Sequence, residues 1–150
     1  MDLILWRHAE AEPGEPDLDR RLTSKGIKQA ARVATWLERH LPDRCRVLVS
    51  PAQRAQQTAL ALGRKFKTMP ELAPGASVAS VLAAANWPES REPVLIVGHQ
   101  PTLGEVASLL LAGEEAGWSI RKGALWWLSD RDREGSAAVL LRVAIGPEFV

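Results

Sequence analysis

Pro93-Val-Leu-Ile-Val-Gly98 is the most strand-like segment of the chain, and it ends directly at His99. Large apolar residues in an unbroken run, bounded by proline and glycine, predict a strand that is buried on both faces. Pro101 follows at once and favours the first turn of a helix that extends through Leu111. Strands buried on both faces are typical of parallel sheets covered by helices, so this segment favours an α/β fold.

The segments on either side alternate between strand and helix patterns. Strands are predicted at Asp2–Trp6, at Arg46–Val49 and in a hairpin of Ala124–Leu128 and Ala137–Val143 at the sheet margin, joined by a charged turn at 130–135. Helices are predicted from Thr23 or Ser24 to a stop at Pro42, from Pro51 to about Phe66 with Ser50 as N-cap, and near Ser77–Asn86, with an extended crossing segment at 68–76. We therefore predict a single domain over residues 1–150, a three-layer α/β sandwich with a mostly parallel central sheet and helices on both faces.

The first helix shows apolar residues at three-to-four spacing. The positions expected to face inward are Ile27, Ala30, Ala31, Ala34 and Leu37, with Leu41 as a further candidate.

Composition narrows the class of protein. The chain has 150 residues, of which 46% are hydrophobic and 25% charged, as in an ordinary globular domain. The formal net charge of +1 argues against a nucleic-acid surface and a polybasic membrane anchor. The longest apolar runs, such as Val94–Gly98, are far shorter than the roughly 20 residues of a membrane span. Cys45 is the one cysteine and no leader pattern is visible, so the cytoplasm is the expected compartment.

Polar residues follow three of the predicted strands at the point where each ends. These are Arg7-His8, Ser50 and Gly98-His99. Ligands of open parallel sheets collect beyond the carboxyl ends of the strands, so two histidines and an arginine are expected on one rim. Arg54, one turn into the next helix, can reach the same rim. Two guanidinium groups beside helix N-termini suit an oxyanion with several oxygens, and phosphate fits best.

These residues stand in an order and spacing that resemble the histidine phosphatase superfamily, and within it the small phosphohistidine phosphatases of bacteria. The matching blocks are Leu5-Trp6-Arg7-His8-Ala9, Leu22-Thr23-Ser24-Lys25-Gly26 with Gln29-Ala30, Ser50-Pro51-Ala52-Gln53-Arg54-Ala55-Gln56-Gln57-Thr58 and Val97-Gly98-His99-Gln100-Pro101. The Ser50–Thr58 block is the most specific of them, because six of its residues match fixed positions of the family's pattern. The resemblance covers almost the whole chain and implies a phosphoglycerate-mutase-like fold.

The resemblance also implies a mechanism. His8 is the expected nucleophile, forming a phosphohistidine intermediate that water hydrolyses. Arg7 and Arg54 hold the phosphoryl oxygens and favour the neutral imidazole of His8. His99 donates a hydrogen bond to a nonbridging oxygen. No metal ion or cofactor is expected, because the cationic side chains supply the charge stabilisation.

The resemblance also bears on the proton donor and on the mouth of the pocket. In many members of this superfamily a carboxylic acid after the middle strand is the proton donor, and Glu71 occupies that place by order in the chain; Glu10 and Glu12 are its rivals because they follow the nucleophile closely. An imidazole leaving group is easier to protonate than an alkoxide, so a phosphohistidine substrate needs a dedicated acid less. Arg20 is expected over the pocket mouth, in contact with phosphate or partner. The family's usual glycine after Arg-His is Ala9 here, which predicts ordinary backbone dihedrals in this loop.

Three functions remain open at this level. The leading one is removal of phosphate from a histidine-phosphorylated protein, such as a phosphotransfer domain, by a monomer. The short stretch between Ser77 and Pro93 supports it, because no room is left for a large cap and the pocket is expected to be open. The alternatives are a phosphatase of small phosphate esters and a non-catalytic phosphate-binding module.

Several polar residues are assigned structural roles. His40 is expected to be a polar cap at the end of the first helix. Ser50 and Thr58 are expected to be helix cap and packing residue, and Gln29 a polar contact under the active-site loop.

Overall fold

The computed structural model describes residues 1–133 and 136–150 of the chain. Within these residues it forms six strands and four α-helices. The strands are β1 (Asp2–Arg7), β2 (Arg46–Val49), β3 (Lys67–Thr68), β4 (Val94–Gly98), β5 (Leu125–Arg133) and β6 (Ser136–Ile145). The α-helices are α1 (Ser24–His40), α2 (Gln53–Leu60), α3 (Val78–Ala85) and α4 (Thr102–Ala112).

The strands form one sheet in the order β3-β2-β4-β1-β5-β6. The first four of these are mutually parallel, and the β5–β6 hairpin adds two antiparallel strands at one edge. The strand predicted from Pro93-Val-Leu-Ile-Val-Gly98 is β4, which is fully buried between β2 and β1. The mostly parallel sheet and the marginal hairpin are therefore both confirmed.

Successive side chains of β1 point to opposite faces of the sheet and join two separate cores. Leu3 and Leu5 pack with residues of α3 and α4, whereas Ile4 and Trp6 pack with residues of α1 and α2. Each face of the sheet is thus covered by a pair of helices. This arrangement confirms the predicted three-layer sandwich.

Helix α1 begins where predicted, and Ala30, Ala34 and Leu37 are buried as predicted, but the rest of its inward face differs from the prediction. The hydroxyl of Thr23 caps the helix by accepting a hydrogen bond from the Gly26 amide at 2.9 Å. Ile27 is 54% exposed and Ala31 is also exposed, so the prediction was wrong for both. A Cβ at position 26 would overlap the carbonyl oxygen of Glu10. This close approach turns the face that contains Gly26, Val33 and Leu37 inward.

Helix α2 is shorter than predicted. It spans Gln53–Leu60 with Ala52 as N-cap, so the predicted start at Pro51 and end near Phe66 were wrong. Gly63, with a φ of +73°, follows the last turn and takes the backbone out of the helical region.

The remaining elements agree with the predictions more closely. Ser77 caps α3 and Asn86 ends it, as expected. The segment at 68–76 is not wholly extended, because a 3-10 turn forms at Pro70–Leu72 after β3. The predicted charged turn is displaced, since β5 continues to Arg133, and its tip at 134–135 lies outside the described residues. No helix in the described part of the chain is long and apolar enough to cross a membrane.

Candidate active site

The sheet brings the predicted rim residues together. In the parallel pair β1–β4, Arg7 stands opposite Gly98, and the His8 amide donates to the Gly98 carbonyl at 3.1 Å. On the other side of β4 the Ser50 amide donates to the Val97 carbonyl at 3.1 Å. The ring centroids of His8 and His99 are 5.1 Å apart, and both side chains are buried. The carboxyl ends of three neighbouring strands therefore supply one compact polar site.

His8 presents one ring nitrogen without a proton. Its Nδ1 lies 2.7 Å from the carbonyl oxygen of Ala9, and because a carbonyl only accepts, Nδ1 carries the hydrogen. The lone pair is consequently on Nε2. Burial lowers the pKa of His8 from 6.5 to about 4, with a further lowering by the charges of Arg54 and Arg7, against the opposing effect of the Ala9 hydrogen bond. His8 is neutral at pH 7, as a nucleophilic imidazole must be.

The loop after His8 is anchored by side chains of the sequence motifs. The Ala9 amide donates to the Thr58 hydroxyl at 3.1 Å, and that hydroxyl donates to the Arg54 carbonyl at 2.7 Å. The Gln29 side-chain oxygen accepts from the Glu10 amide at 3.0 Å, which confirms its predicted contact under the loop. Ala9 has a negative φ, so the ordinary dihedrals predicted for this position are confirmed.

The hydroxyl of Ser50 lies 2.7 Å from Nε2 of His99 and accepts from the Ala52 amide at 3.2 Å. This hydroxyl is fully buried and has no other hydrogen bond in the described structure. Because a buried O–H group needs an acceptor, it donates its hydrogen bond to Nε2. Nδ1 of His99 then carries the ring hydrogen. Burial, followed by the neighbouring His8 and Arg54, lowers the pKa of His99 to about 3. His99 is thus a neutral hydrogen-bond donor.

Ser50 is not the N-cap of α2, so the helix-cap role predicted from the sequence was wrong. Ala52 caps α2, and the Ser50 side chain instead orients His99. The sequence did contain a signal for this role. Ser50 directly follows β2 and His99 directly follows the adjacent parallel strand β4, so both stand on the same rim.

The two arginines reach the rim from opposite sides. Arg7 donates from Nη1 to the Ile120 carbonyl at 3.0 Å. Arg54 is 4% exposed and donates to Asp17 twice, from Nη1 to the carbonyl at 2.8 Å and from Nη2 to the carboxylate at 3.0 Å. Asp17 was not predicted from the sequence, because it lies in a loop dense in turn formers without a periodic pattern.

Arg20 joins this group through Asp17. Its Nη1 lies 3.1 Å from the second carboxylate oxygen of Asp17, and its Nε donates to the Glu12 carbonyl at 2.7 Å. Arg20 and then Arg54 hold the pKa of Asp17 below its usual value. Asp17 therefore bridges Arg20 and Arg54, on the half-exposed side of the site.

Three N–H groups of the site have no protein partner. In the described part of the chain, the buried side-chain nitrogen and oxygen atoms without a hydrogen bond are Arg7 Nε, Arg54 Nε and His99 Nδ1. All three are donors, and all belong to residues around His8. Buried donors are nearly always paired in native proteins, so this set matches a ligand with several acceptor oxygens. A tetrahedral phosphoryl group has this character.

The candidate acids differ in their surroundings. Glu71 is exposed in the Pro70–Leu72 turn, and its carboxylate has no hydrogen bond or ion pair among the residues described. The next residue, Leu72, lines a small cavity together with His99, so the turn lies beside the site. The Glu10 carboxylate instead accepts from the Thr23 hydroxyl at 2.8 Å. Glu12 is exposed, and its backbone carbonyl holds Arg20.

Comparison with known proteins assigns the family. The model of the histidine phosphatase superfamily (branch 1) matches residues 3–77, half of the chain. The chain belongs to the histidine phosphatase superfamily. Its matched region contains Arg7, His8 and Arg54 and ends before His99.

This histidine phosphatase is similar to the phosphohistidine phosphatases named SixA. It is 35% identical over 126 residues to the SixA homolog of Haemophilus influenzae, covering 73% of this chain and 77% of that protein. It is 33% identical over 123 residues to SixA of Escherichia coli, covering 76% of each. A solved structure of the protein histidine phosphatase SixA complexed with tungstate superposes with a TM-score of 0.79 at 27% identity, covering 99% of both chains. The resemblance and the phosphoglycerate-mutase-like fold are thereby confirmed.

One further prediction concerns a residue outside the rim. His40 lies exposed at the end of α1, where its Nδ1 is 2.7 Å from the Trp36 carbonyl, as expected of a polar residue at a helix end. No group of three or more His, Cys, Asp or Glu side chains that could hold a metal ion is found within residues 1–133 and 136–150.

Proposed function

We propose that this histidine phosphatase removes phosphate from histidine-phosphorylated proteins, such as a phosphotransfer domain, through a covalent intermediate on His8. One observation carries the proposal: three unpartnered buried donors, Arg7 Nε, Arg54 Nε and His99 Nδ1, surround a neutral histidine whose Nε2 is free of hydrogen. The similarity to SixA proteins, which are named phosphohistidine phosphatases, supports the substrate class.

In the first step Nε2 of His8 attacks the phosphorus atom with its lone pair. The bond between phosphorus and the substrate imidazole breaks, and the departing nitrogen takes a proton. Arg7 and Arg54 hold the nonbridging oxygens, and His99 Nδ1 donates to one of them. Positioning and charge stabilisation of this kind supply most of the catalysis in phosphoryl transfer.

In the second step water attacks the phosphorus atom of phosphorylated His8. The bond between phosphorus and Nε2 breaks, one proton of the water returns to the group that protonated the leaving nitrogen, and hydrogen phosphate leaves while His8 returns to its neutral form. The Nδ1 hydrogen bond to Ala9 keeps the same ring orientation in both steps, because it does not involve the reacting nitrogen.

We assign the proton donor for the leaving group to Glu71, on the exposed turn beside the site. The Thr23 hydroxyl engages the rival Glu10, and Glu12 contributes only a backbone contact near Asp17 and Arg20. An imidazole nitrogen needs this acid less than an alkoxide does.

The test is phosphate release from a histidine-phosphorylated phosphotransfer domain and from an aryl phosphate at matched concentration. His8→Ala is the inactive variant, and His40→Ala, which alters an exposed histidine away from the rim, is the matched control. The proposal predicts preferential release from the phosphoprotein, loss of release in His8→Ala and full activity in His40→Ala. Turnover of the aryl ester alone would assign the site to small phosphate esters. Binding of phosphoprotein with no turnover of either substrate would indicate a binding module.

A further inference from the structure

A groove lined mainly by basic residues leads away from Arg7 along the surface. One part of it is lined by Arg7, Lys25, Arg121 and Lys122, and the adjoining part by Lys25, Lys28 and Arg32. The two parts share Lys25, Gln29 and Glu148 and therefore adjoin; together they are here called the basic trough. The trough begins at an arginine of the phosphate site.

The charge of the basic trough is unbalanced. Six basic side chains line it against the two carboxylates of Glu10 and Glu148. The whole chain has a net charge of only +1, so the rest of the molecule is net negative. Four of the basic side chains form no hydrogen bond or ion pair within the described structure: Lys25, Lys28, Arg121 and Lys122. Their charges are free to meet those of a partner.

The backbone beneath Arg121 and Lys122 is fixed to the catalytic strand. Arg7 donates to the Ile120 carbonyl, the Gly123 amide donates to the His8 carbonyl at 3.0 Å, and the Trp6 indole donates to the Gly123 carbonyl at 3.0 Å. These three hydrogen bonds bracket residues 121 and 122. The backbone of residues 121 and 122 is therefore held beside the nucleophile, and their exposed side chains extend from this anchored position.

We propose that the basic trough binds an acidic surface of the substrate protein that surrounds its phosphohistidine. This inference rests on the proposed function and adds the chemistry by which a protein substrate is chosen. Complementary charge across an interface favours the correct partner and accelerates encounter. None of the described residues that line the trough is aromatic, so the stacking platform typical of single-stranded nucleic-acid sites is missing there.

The experiment uses three phosphohistidine peptides of equal length, flanked by glutamate, glutamine or lysine. The test variant is Lys25→Glu/Lys122→Glu, and the matched control is Arg44→Glu/Arg91→Glu. Arg44 and Arg91 are exposed and precede β2 and β4. They therefore lie at the amino-terminal ends of these strands, whereas the site lies at the carboxyl ends. All three proteins carry His8→Ala for the binding measurement, which keeps the peptides intact.

The expected result is that the glutamate peptide binds about tenfold more tightly than the glutamine peptide at low salt. The lysine peptide should bind most weakly, and high salt should reduce the differences. The test variant should lose or invert this order, whereas the control should keep it. Equal binding of the three peptides, or equal loss of preference in both variants, would overturn the inference. So would binding of duplex DNA that depends on Lys25 and Lys122 without any preference among the peptides.

Turnover by the protein with His8 intact separates this inference from the proposed function. Hydrolysis of all three peptides at one rate would retain the phosphatase and reject the basic trough as a docking surface. Selective binding of the glutamate peptide without hydrolysis of any peptide would retain the docking surface and reject the phosphatase.

Discussion

The buried hydroxyl of Ser50 donates a hydrogen bond to Nε2 of His99 across 2.7 Å, and this contact places the ring hydrogen on Nδ1. Nδ1 is also the nitrogen of His99 that has no protein partner. The serine at the end of β2 thus determines which nitrogen of His99 faces the phosphoryl group as a donor.

Ser50→Ala should lower kcat/KM by roughly 10-fold to 100-fold, less than the complete loss of a transition-state donor. Without the hydroxyl, His99 is free to place its hydrogen on either nitrogen. Steady-state kinetics on the phosphoprotein measure the effect. Ser108→Ala is the control, since Ser108 is an equally buried serine that bonds the Glu114 carbonyl and the Ala116 amide, outside the site. Equal losses in the two variants would show that Ser50 acts only through stability.

Arg54→Ala should cost on the order of 3 kcal/mol of transition-state stabilisation, more than a hundredfold in kcat/KM. The variant loses both the charge and the unpartnered Nε donor. Arg64→Ala removes a guanidinium that pairs with Glu38 at 3.2 Å and should leave kcat/KM within about twofold, since surface ion pairs contribute little. An Arg54→Ala enzyme with unchanged kcat/KM would refute the role of this arginine.

The imidazole of His8 should titrate near pH 4 and remain neutral at pH 5 and above. Its pKa is lowered from 6.5 to about 4, first by burial, so the cationic form is populated only in stronger acid. NMR titration of the ring carbons and nitrogens measures this directly and is independent of the ionisation of any substrate. Because His99 also titrates low, at about 3, and lies beside His8, the two midpoints belong to the pair. A His8 midpoint near 6.5 would contradict the lowering of its pKa by burial and by the neighbouring arginines.

Glu71→Gln should affect substrates according to their leaving group. With an alkyl phosphate the leaving alkoxide needs a proton, and kcat should fall by about a hundredfold. With phosphohistidine the leaving imidazole is protonated easily, and the loss should be less than about tenfold. Glu10→Gln and Glu12→Gln provide the comparison in the same assay. If Glu10→Gln produced the alkyl-selective loss and Glu71→Gln did not, the assignment of the acid would move to Glu10.

The sequence was sufficient for the order of the four α-helices, of five of the six described strands and for the rim, whereas the short strand β3 was missed. Strong local signals at β4, at Thr23 and at Ser77 agree with the structure. The grouping of His8 and His99 followed from one rule, that parallel strands end at the same edge of a sheet. These features depend on patterns within short segments.

The features that sequence analysis missed depend on contacts between distant segments. The exposure of Ile27 results from the approach of Gly26 to Glu10, which the helical period of α1 does not contain. Asp17 meets Arg54 across 37 positions, and a turn-rich loop carries no pattern that predicts such a partner. From the sequence alone, the hydroxyl of Ser50 suits a helix cap as well as a hydrogen bond to a histidine. Its actual partner, His99, follows the neighbouring strand β4, which is distant in the sequence.

The most direct test of the account is to trap phosphate on His8. The protein is mixed with a histidine-phosphorylated phosphotransfer domain carrying radioactive phosphate and quenched in base within milliseconds, and the labelled peptide is then mapped. The account predicts transient, acid-labile label on the peptide that contains His8, appearing before free phosphate and missing from His8→Ala. Release of phosphate at the wild-type rate by His8→Ala, or turnover with no label on His8 at any time, would contradict it.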